Sequence, residues 1–271
     1  MNPTSGDLQI LQDAYEKLEN PSLAIRISSA VGMPVEAVTR ELGRRAPDAI
    51  VDTVSKSTHK AIEFVLQSSM RSIKPDASAA ASPRLHTAAA MTTGAVAGFF
   101  GLETLIVELP LTTGIMFRSI ADIARAEGES PQDPETILNC MQVFALGSRA
   151  TDKDDAAETS YYGVRVALSK AVTDALQYVA AHGAGSASAP ALVRLISALA
   201  SRFGIVVTQK AMAQTIPVIG AIGGGLVNTV FISHFQDMAR AHFAIRRLER
   251  QYGAEAIREA YLQLSSSEVA E

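Results

Sequence analysis

The chain has 271 residues, 48% of them hydrophobic and 19% charged, and a net charge of −4. That length can bury a sizeable core, the acidic balance supplies no basic footprint for nucleic acid, and a single cysteine, Cys140, forbids an intrachain disulfide. Residues Met1 to Asp7 have neither a basic n-region nor a following apolar h-region, so they do not read as a signal peptide. The expected location is the cytoplasm, either free or peripheral to the inner face of the cell membrane.

In chain order, Leu8, Leu11, Tyr15 and Leu18 recur at spacings of three and four, which predicts a helix over 8–20 with Asp7 as its N-cap. A second helix is expected from Ser22, and a third opens at Pro34 and stops near Gly43. A longer one begins at Pro47 and carries Ile50, Val54, Ile62, Val65 and Leu66 on one face to about Met70. Residues 1–74 thus read as an N-terminal helical appendage, 75–84 as a proline-bounded linker, and 85–271 as the main helical domain. Residues 88–107 are apolar and small-residue-rich, broken only by Glu103, and Pro110 is expected to kink or end that helix. A further helix runs to Gly128, with others over about 135–147 and 158–182, an acidic loop at 152–155 between them, and a linker at 183–190. The last long stretch, 191–250, is interrupted at Pro217 and at Gly223, Gly224 and Gly225, and a short helix follows over 254–264. No strand pair is visible. The expected fold is an all-α multi-helix bundle with a glycine-rich central helical hairpin core and an internal pseudo-repeat.

The repeat consists of Asp122-Ile123-Ala124-Arg125-Ala126 and, 115 residues on, Asp237-Met238-Ala239-Arg240-Ala241. Each copy follows an apolar segment with glycines four apart, Gly94 with Gly98 and Gly220 with Gly224. Glycines at that spacing share a helix face and admit a second backbone closely, so these four are the candidates for helix packing or membrane contact. Chance similarity in so alanine-rich a chain stays open beside duplication. The uncharged run Ile216 to Ile232 would span roughly 26 Å as a helix, short of a hydrocarbon core of roughly 30 Å. A buried core pair is therefore the first reading of the two segments, and re-entrant insertion in a bilayer the second.

Several polar residues stand in apolar surroundings: Glu103, Glu108, Arg149, Arg165, Lys170 and Lys210. If buried, each needs a partner. Asp122 with Arg125 and Asp237 with Arg240 are spaced as intrahelical ion pairs. Arg118, Asp122 and Arg125 share a face opposite Met116, Ile120 and Ile123. His242 falls inside the apolar stripe of its helix, and His234 lies at its edge one turn from Asp237. That spacing matches neither HExxH nor the paired Glu-x-x-His of di-iron bundles, so no metal and no cofactor is expected. Cys140, inside an apolar run, reads as a small buried hydrophobe. Arg246, Arg247 and Arg250 read first as a solvated helix end and second as a contact for anionic lipid. GxSxG, P-loop and CxxC signatures are absent.

Thr93-Gly94 through Gly98-Phe99-Phe100-Gly101, then Glu108-Leu109-Pro110-Leu111-Thr112-Thr113 leading to Arg118-Ser119-Ile120-Ala121-Asp122, resemble the EcsC family. So do Ala145-Leu146-Gly147, Arg165-Val166-Ala167-Leu168 and Ile216-Pro217-Val218-Ile219-Gly220-Ala221 leading to 234–241. The resemblance spans roughly residues 85–262 and carries nothing for the first 80. It implies a bacterial helical protein, membrane-associated in some accounts, with no agreed reaction and so no catalytic residue to transfer. Two functions are therefore expected as alternatives. One is a protein at the cytoplasmic membrane face that binds lipid or a membrane protein. The other is a soluble, hydrolase-like enzyme with Glu108, Asp122, His234 and Asp237 gathered in one cleft.

Overall fold

The computed structural model describes residues 3–19, 23–71, 105–147, 160–182, 188–216 and 224–268. Of these, 88% are helical, in ten helices with no strand, so the fold is all-α. The helices are α1 (Ser5–Glu19), α2 (Leu23–Val31), α3 (Val35–Leu42), α4 (Asp48–Arg71), α5 (Leu105–Ala126), α6 (Pro134–Gln142), α7 (Tyr161–His182), α8 (Pro190–Gln214), α9 (Gly224–Tyr252) and α10 (Ala254–Glu268). The 75–84 linker, Glu103, Arg149, the 152–155 loop and Gly94, Gly98 and Gly220 lie outside the described residues; Gly224 opens α9.

Local signals explain most boundaries, with three differences. The cap of α1 is Thr4, not Asp7: the Asp7 backbone N–H donates to Thr4 Oγ1 at 3.2 Å, and the Thr4 hydroxyl donates back to the Asp7 carboxylate. The first bond is that of a capping box, while the Asp7 carboxylate accepts the Thr4 hydroxyl in place of the Thr4 backbone N–H. Pro110 neither ends nor splits α5. It sits in the second turn, where only the Ile106 carbonyl loses its i+4 donor, and its fixed φ suits a helix. The helix expected over 135–147 stops at Gln142, starting from Asp133, whose side chain accepts the Glu135 N–H with Pro134 at the first helical position. A single 3-10 turn over Val143–Ala145 follows, then Gly147 at φ +69°.

One hydrophobic core runs through all of these elements. Helix α4 packs on both α5 and α8, while α1 and α2 pack on α9. The helices of residues 1–74 therefore share the main core instead of hanging off it. The physical reason is that the apolar stripes of α1 (Leu11, Tyr15, Leu18) and α4 (Val54, Ile62, Leu66) are fully used as packing surface.

Helix α9 is the axis. Ser119 meets Gln236 and Glu127 meets Arg247, so α5 and α9 run parallel. Asp7 meets Tyr252 and Arg26 meets Asp237, so α1 and α2 run the other way, as does α8, whose Phe203 touches Phe231 and Phe235 while Lys210 reaches Asn228. The two D-x-A-R-A segments thus lie on neighbouring parallel helices at nearly the same level. In each, the middle alanine is buried and the aspartate pairs with the arginine three residues on, Asp122–Arg125 at 3.2 Å and Asp237–Arg240 at 2.7 Å. Among the described residues only α8 is long and apolar enough to cross a membrane, and 44% of its most apolar window is buried. Its buried Leu195, Leu199, Phe203 and Val206 pack as a core helix does.

Candidate functional site

Polar side chains on the buried sides of α9 fall in three clusters, two of which draw partners from α5, α7 and α8. The first sits where α5 opens, α8 closes and α9 begins. Lys210, 1% exposed, donates from Nζ to Glu108 Oε1 at 3.1 Å and to Asn228 Oδ1 at 2.8 Å, and lies 5.0 Å from the centroid of the Phe231 ring. Burying an ammonium is costly unless all its donors are met. Here two are met by oxygens and the third face by an aromatic ring. One turn beyond Glu108, the buried Thr112 Oγ1 has no hydrogen-bond partner.

The second cluster is His234, fully buried, whose ring nitrogens make no well-aligned hydrogen bond among the described residues but lie against the Gly147 backbone. Burial first, then the Arg26 guanidinium, pushes its pKa down to about 4 against the opposing pull of Asp237 and of the Gly147 backbone. The imidazole is therefore neutral at pH 7. Its ring lies against Gly147: a Cβ at that position would stand 2.7 Å from His234 Nε2 and 3.2 Å from Met238 Sδ, on a backbone at φ +69°. Only glycine meets both demands. Gly147→Ala is expected to lower stability by about 2–3 kcal/mol, from left-handed strain plus the clash. Urea unfolding of Gly147→Ala beside Gly147→Ala/His234→Ala checks this, since removing the ring should recover the clash but not the strain.

The third cluster ties both ends of the chain to α7. The Tyr161 hydroxyl lies 3.0 Å from His242 Nδ1, and Arg165 holds Glu249 with two hydrogen bonds of 2.6 and 3.0 Å. Glu19 accepts from the Tyr161 backbone N–H and from the Tyr261 hydroxyl. Burial raises the hydroxyl pKa values of Tyr161 and Tyr261 and holds His242 neutral, its pKa lowered by burial and then by Arg165 and Arg246. None of these groups is poised to exchange protons near pH 7. The cluster reads as structure.

The four residues expected in one cleft are dispersed. Glu108 and Asp122 occupy one helix fourteen positions apart, roughly 21 Å along its axis. Glu108 is bound to Lys210, Asp122 to Arg125, and Asp237 to both Arg26 and Arg240, so each carboxylate is engaged by a cation. Cys140 is buried, which raises its thiol pKa far above the range of a nucleophile. Lys170 is exposed and pairs with Asp174. The Arg246, Arg247 and Arg250 group is not a solvated helix end. It docks on the acidic turn after α5, with Arg246 on Glu129 and Glu135, Arg247 on Glu127, and Arg250 on Glu129 and the Glu127 carbonyl. Among the described residues no group of three His, Cys, Asp or Glu side chains is arranged to hold a metal.

Lys210, Arg165 and His242 stand out in the sequence as polar groups in apolar stretches, but their partners Asn228, Glu249 and Tyr161 are not legible there as partners. Those partners lie 18, 84 and 81 residues away, and no local spacing announces them. Gly147 was visible only as part of a motif.

A parallel α5–α9 pair with buried polar groups along a central helix defines an all-α bundle. The chain matches the EcsC protein family over residues 14–248 and belongs to it. That match starts inside α1, so the first helices, for which no motif was legible, belong to the family region, whereas α10 lies beyond it. No curated protein and no solved structure matches the chain.

Proposed function

We propose that the protein works at a membrane face, binding lipid through one apolar end of the bundle. The observation that supports this is that three of the ten exposed large hydrophobics among the described residues fall together, while the others, Val166 among them, are spread over other parts of the fold. Val107 is 68% exposed, Leu111 52% and Phe64 47%. Val107 and Leu111 are one turn apart on α5, and Phe64 lies across Gly114, the next position on that stripe. Together they make a strip about 10 Å long. The Lys210 node brings the same region of α5 together with the last turns of α8 and the first turns of α9. In sequence, these are the elements that the two glycine-rich apolar segments adjoin. Apolar side chains contiguous with such segments suit an interface that dips into the headgroup and acyl boundary. The soluble-enzyme reading has no comparable observation behind it.

The test is co-flotation of the full chain with phosphatidylcholine vesicles at low and high salt. Binding that survives high salt, and that Val107→Ser/Leu111→Ser reduces at least tenfold, is the expected result, since each exposed apolar side chain contributes on the order of 1 kcal/mol or more when buried. Recovery of the wild-type chain only at the bottom of the gradient, with every lipid tried, removes the reading.

A further inference from the structure

Among the described residues six cations have no ion-pair or hydrogen-bond partner, and three of them, Lys56, Lys60 and Arg118, lie beside the same apolar strip, while Lys17, Arg40 and Arg202 lie elsewhere. Phe64 shares its face of α4 with Lys60 and Lys56, at spacings of four, and both lysines are exposed. Arg118 continues the Val107–Leu111–Gly114 stripe one turn further along α5, roughly 6 Å beyond Gly114, and is exposed too. Among the described residues none of the three has an ion-pair or hydrogen-bond partner. The basic cluster most conspicuous in the sequence, at 246–250, is by contrast neutralised by Glu127, Glu129 and Glu135. Three exposed carboxylates also lie on α4: Asp48, which stands 3.9 Å from Arg45, Asp52, and Glu63, which accepts a hydrogen bond from Gln67 at 3.0 Å.

From this placement we infer that the apolar end recognises anionic lipid, with Val107, Leu111 and Phe64 entering the acyl boundary while Lys56, Lys60 and Arg118 meet headgroup phosphates. The inference rests on the membrane reading and adds lipid selectivity to it. Long basic side chains at the rim of an apolar strip can keep their stems on apolar surface and extend their charged ends to the phosphate plane. The complementarity is one of sign: the whole chain carries −4, so net charge would repel an anionic surface and only a local, unneutralised rim can attract one.

Each basic residue close to an anionic surface contributes about fivefold in affinity, so the three together supply on the order of 100-fold. The experiment compares vesicles of phosphatidylcholine alone with vesicles containing phosphatidylglycerol, at constant moderate salt. It uses the full wild-type chain, Lys56→Ala/Lys60→Ala/Arg118→Ala, and the charge-preserving Lys56→Arg/Lys60→Arg/Arg118→Lys, all checked for unchanged thermal unfolding. The expected result is a marked preference of the wild type for the anionic vesicles, lost in the alanine triple, kept in the charge-preserving triple, and with no change on phosphatidylcholine. Equal binding of the wild type to both vesicles overturns the selectivity and leaves the membrane reading standing. So does an anionic preference that survives the alanine triple. Failure to bind either vesicle removes both.

Discussion

Replacing Lys210 by methionine is expected to destabilise the fold by about 3–5 kcal/mol, because it leaves the Glu108 carboxylate buried without its counter-charge. Glu108 retains 10% side-chain exposure and Lys210 1%, so neither charge is well hydrated in the folded state. Asn228, which accepts from Lys210 Nζ at 2.8 Å, loses its donor as well. The double variant Lys210→Met/Glu108→Leu should recover most of the loss, since removing both charges removes the desolvation each one carries. Urea unfolding at neutral pH measures all three chains. A single variant as stable as wild type would mean that water reaches Glu108 and that the node does not hold α5, α8 and α9 together.

Acid should weaken the protein through His234. Its pKa is about 4 in the fold and 6.5 when unfolded, so between those values the unfolded chain binds a proton that the folded chain does not. This contribution is therefore fully present above about pH 6.5, declines as the pH falls, and is constant again below about pH 4. Over that window the loss is about 3 kcal/mol, at 1.36 kcal/mol per pKa unit. Protonation would place an imidazolium beside Arg26, with the Asp237 carboxylate already engaged by Arg26 and Arg240. His242 shifts in the same direction, for reasons of burial and then of Arg165 and Arg246, and steepens the decline. Urea midpoints at pH 7.5, 6, 5 and 4 check this for the wild type and for His234→Gln. The variant should show a shallower acid slope, and identical slopes would remove His234 from the account.

The helices were legible because their signals are local: the spacing of Leu11, Tyr15 and Leu18, the proline at the start of α6, and the apolar stripe of α9 each depend on residues within a few turns. Pro110 misled because the cost of proline depends on its place in the helix, and one lost bond near an N-terminus is tolerated. The site was less legible. Lys210 announced itself as a charge in an apolar run, but that Glu108 and Asn228 satisfy it is a matter of tertiary packing. Likewise the 246–250 arginines looked solvated because their partners, Glu127, Glu129 and Glu135, stand more than a hundred residues earlier. Charge along a helix says which face is polar, not whether another segment has neutralised it.

The contacts of α1 bear on how the chain acquires its shape. Asp7 meets Tyr252, and Glu19 meets Tyr261, across separations of 245 and 242 residues. Contacts so distant in sequence can form only after the whole intervening chain exists, and non-local contacts slow folding. At synthesis rates of about 5–20 residues per second, the first helix waits on the order of ten to fifty seconds for its partners to be made. During that interval Leu11, Tyr15 and Leu18 lack the α9 and α10 surfaces on which α1 packs in the fold.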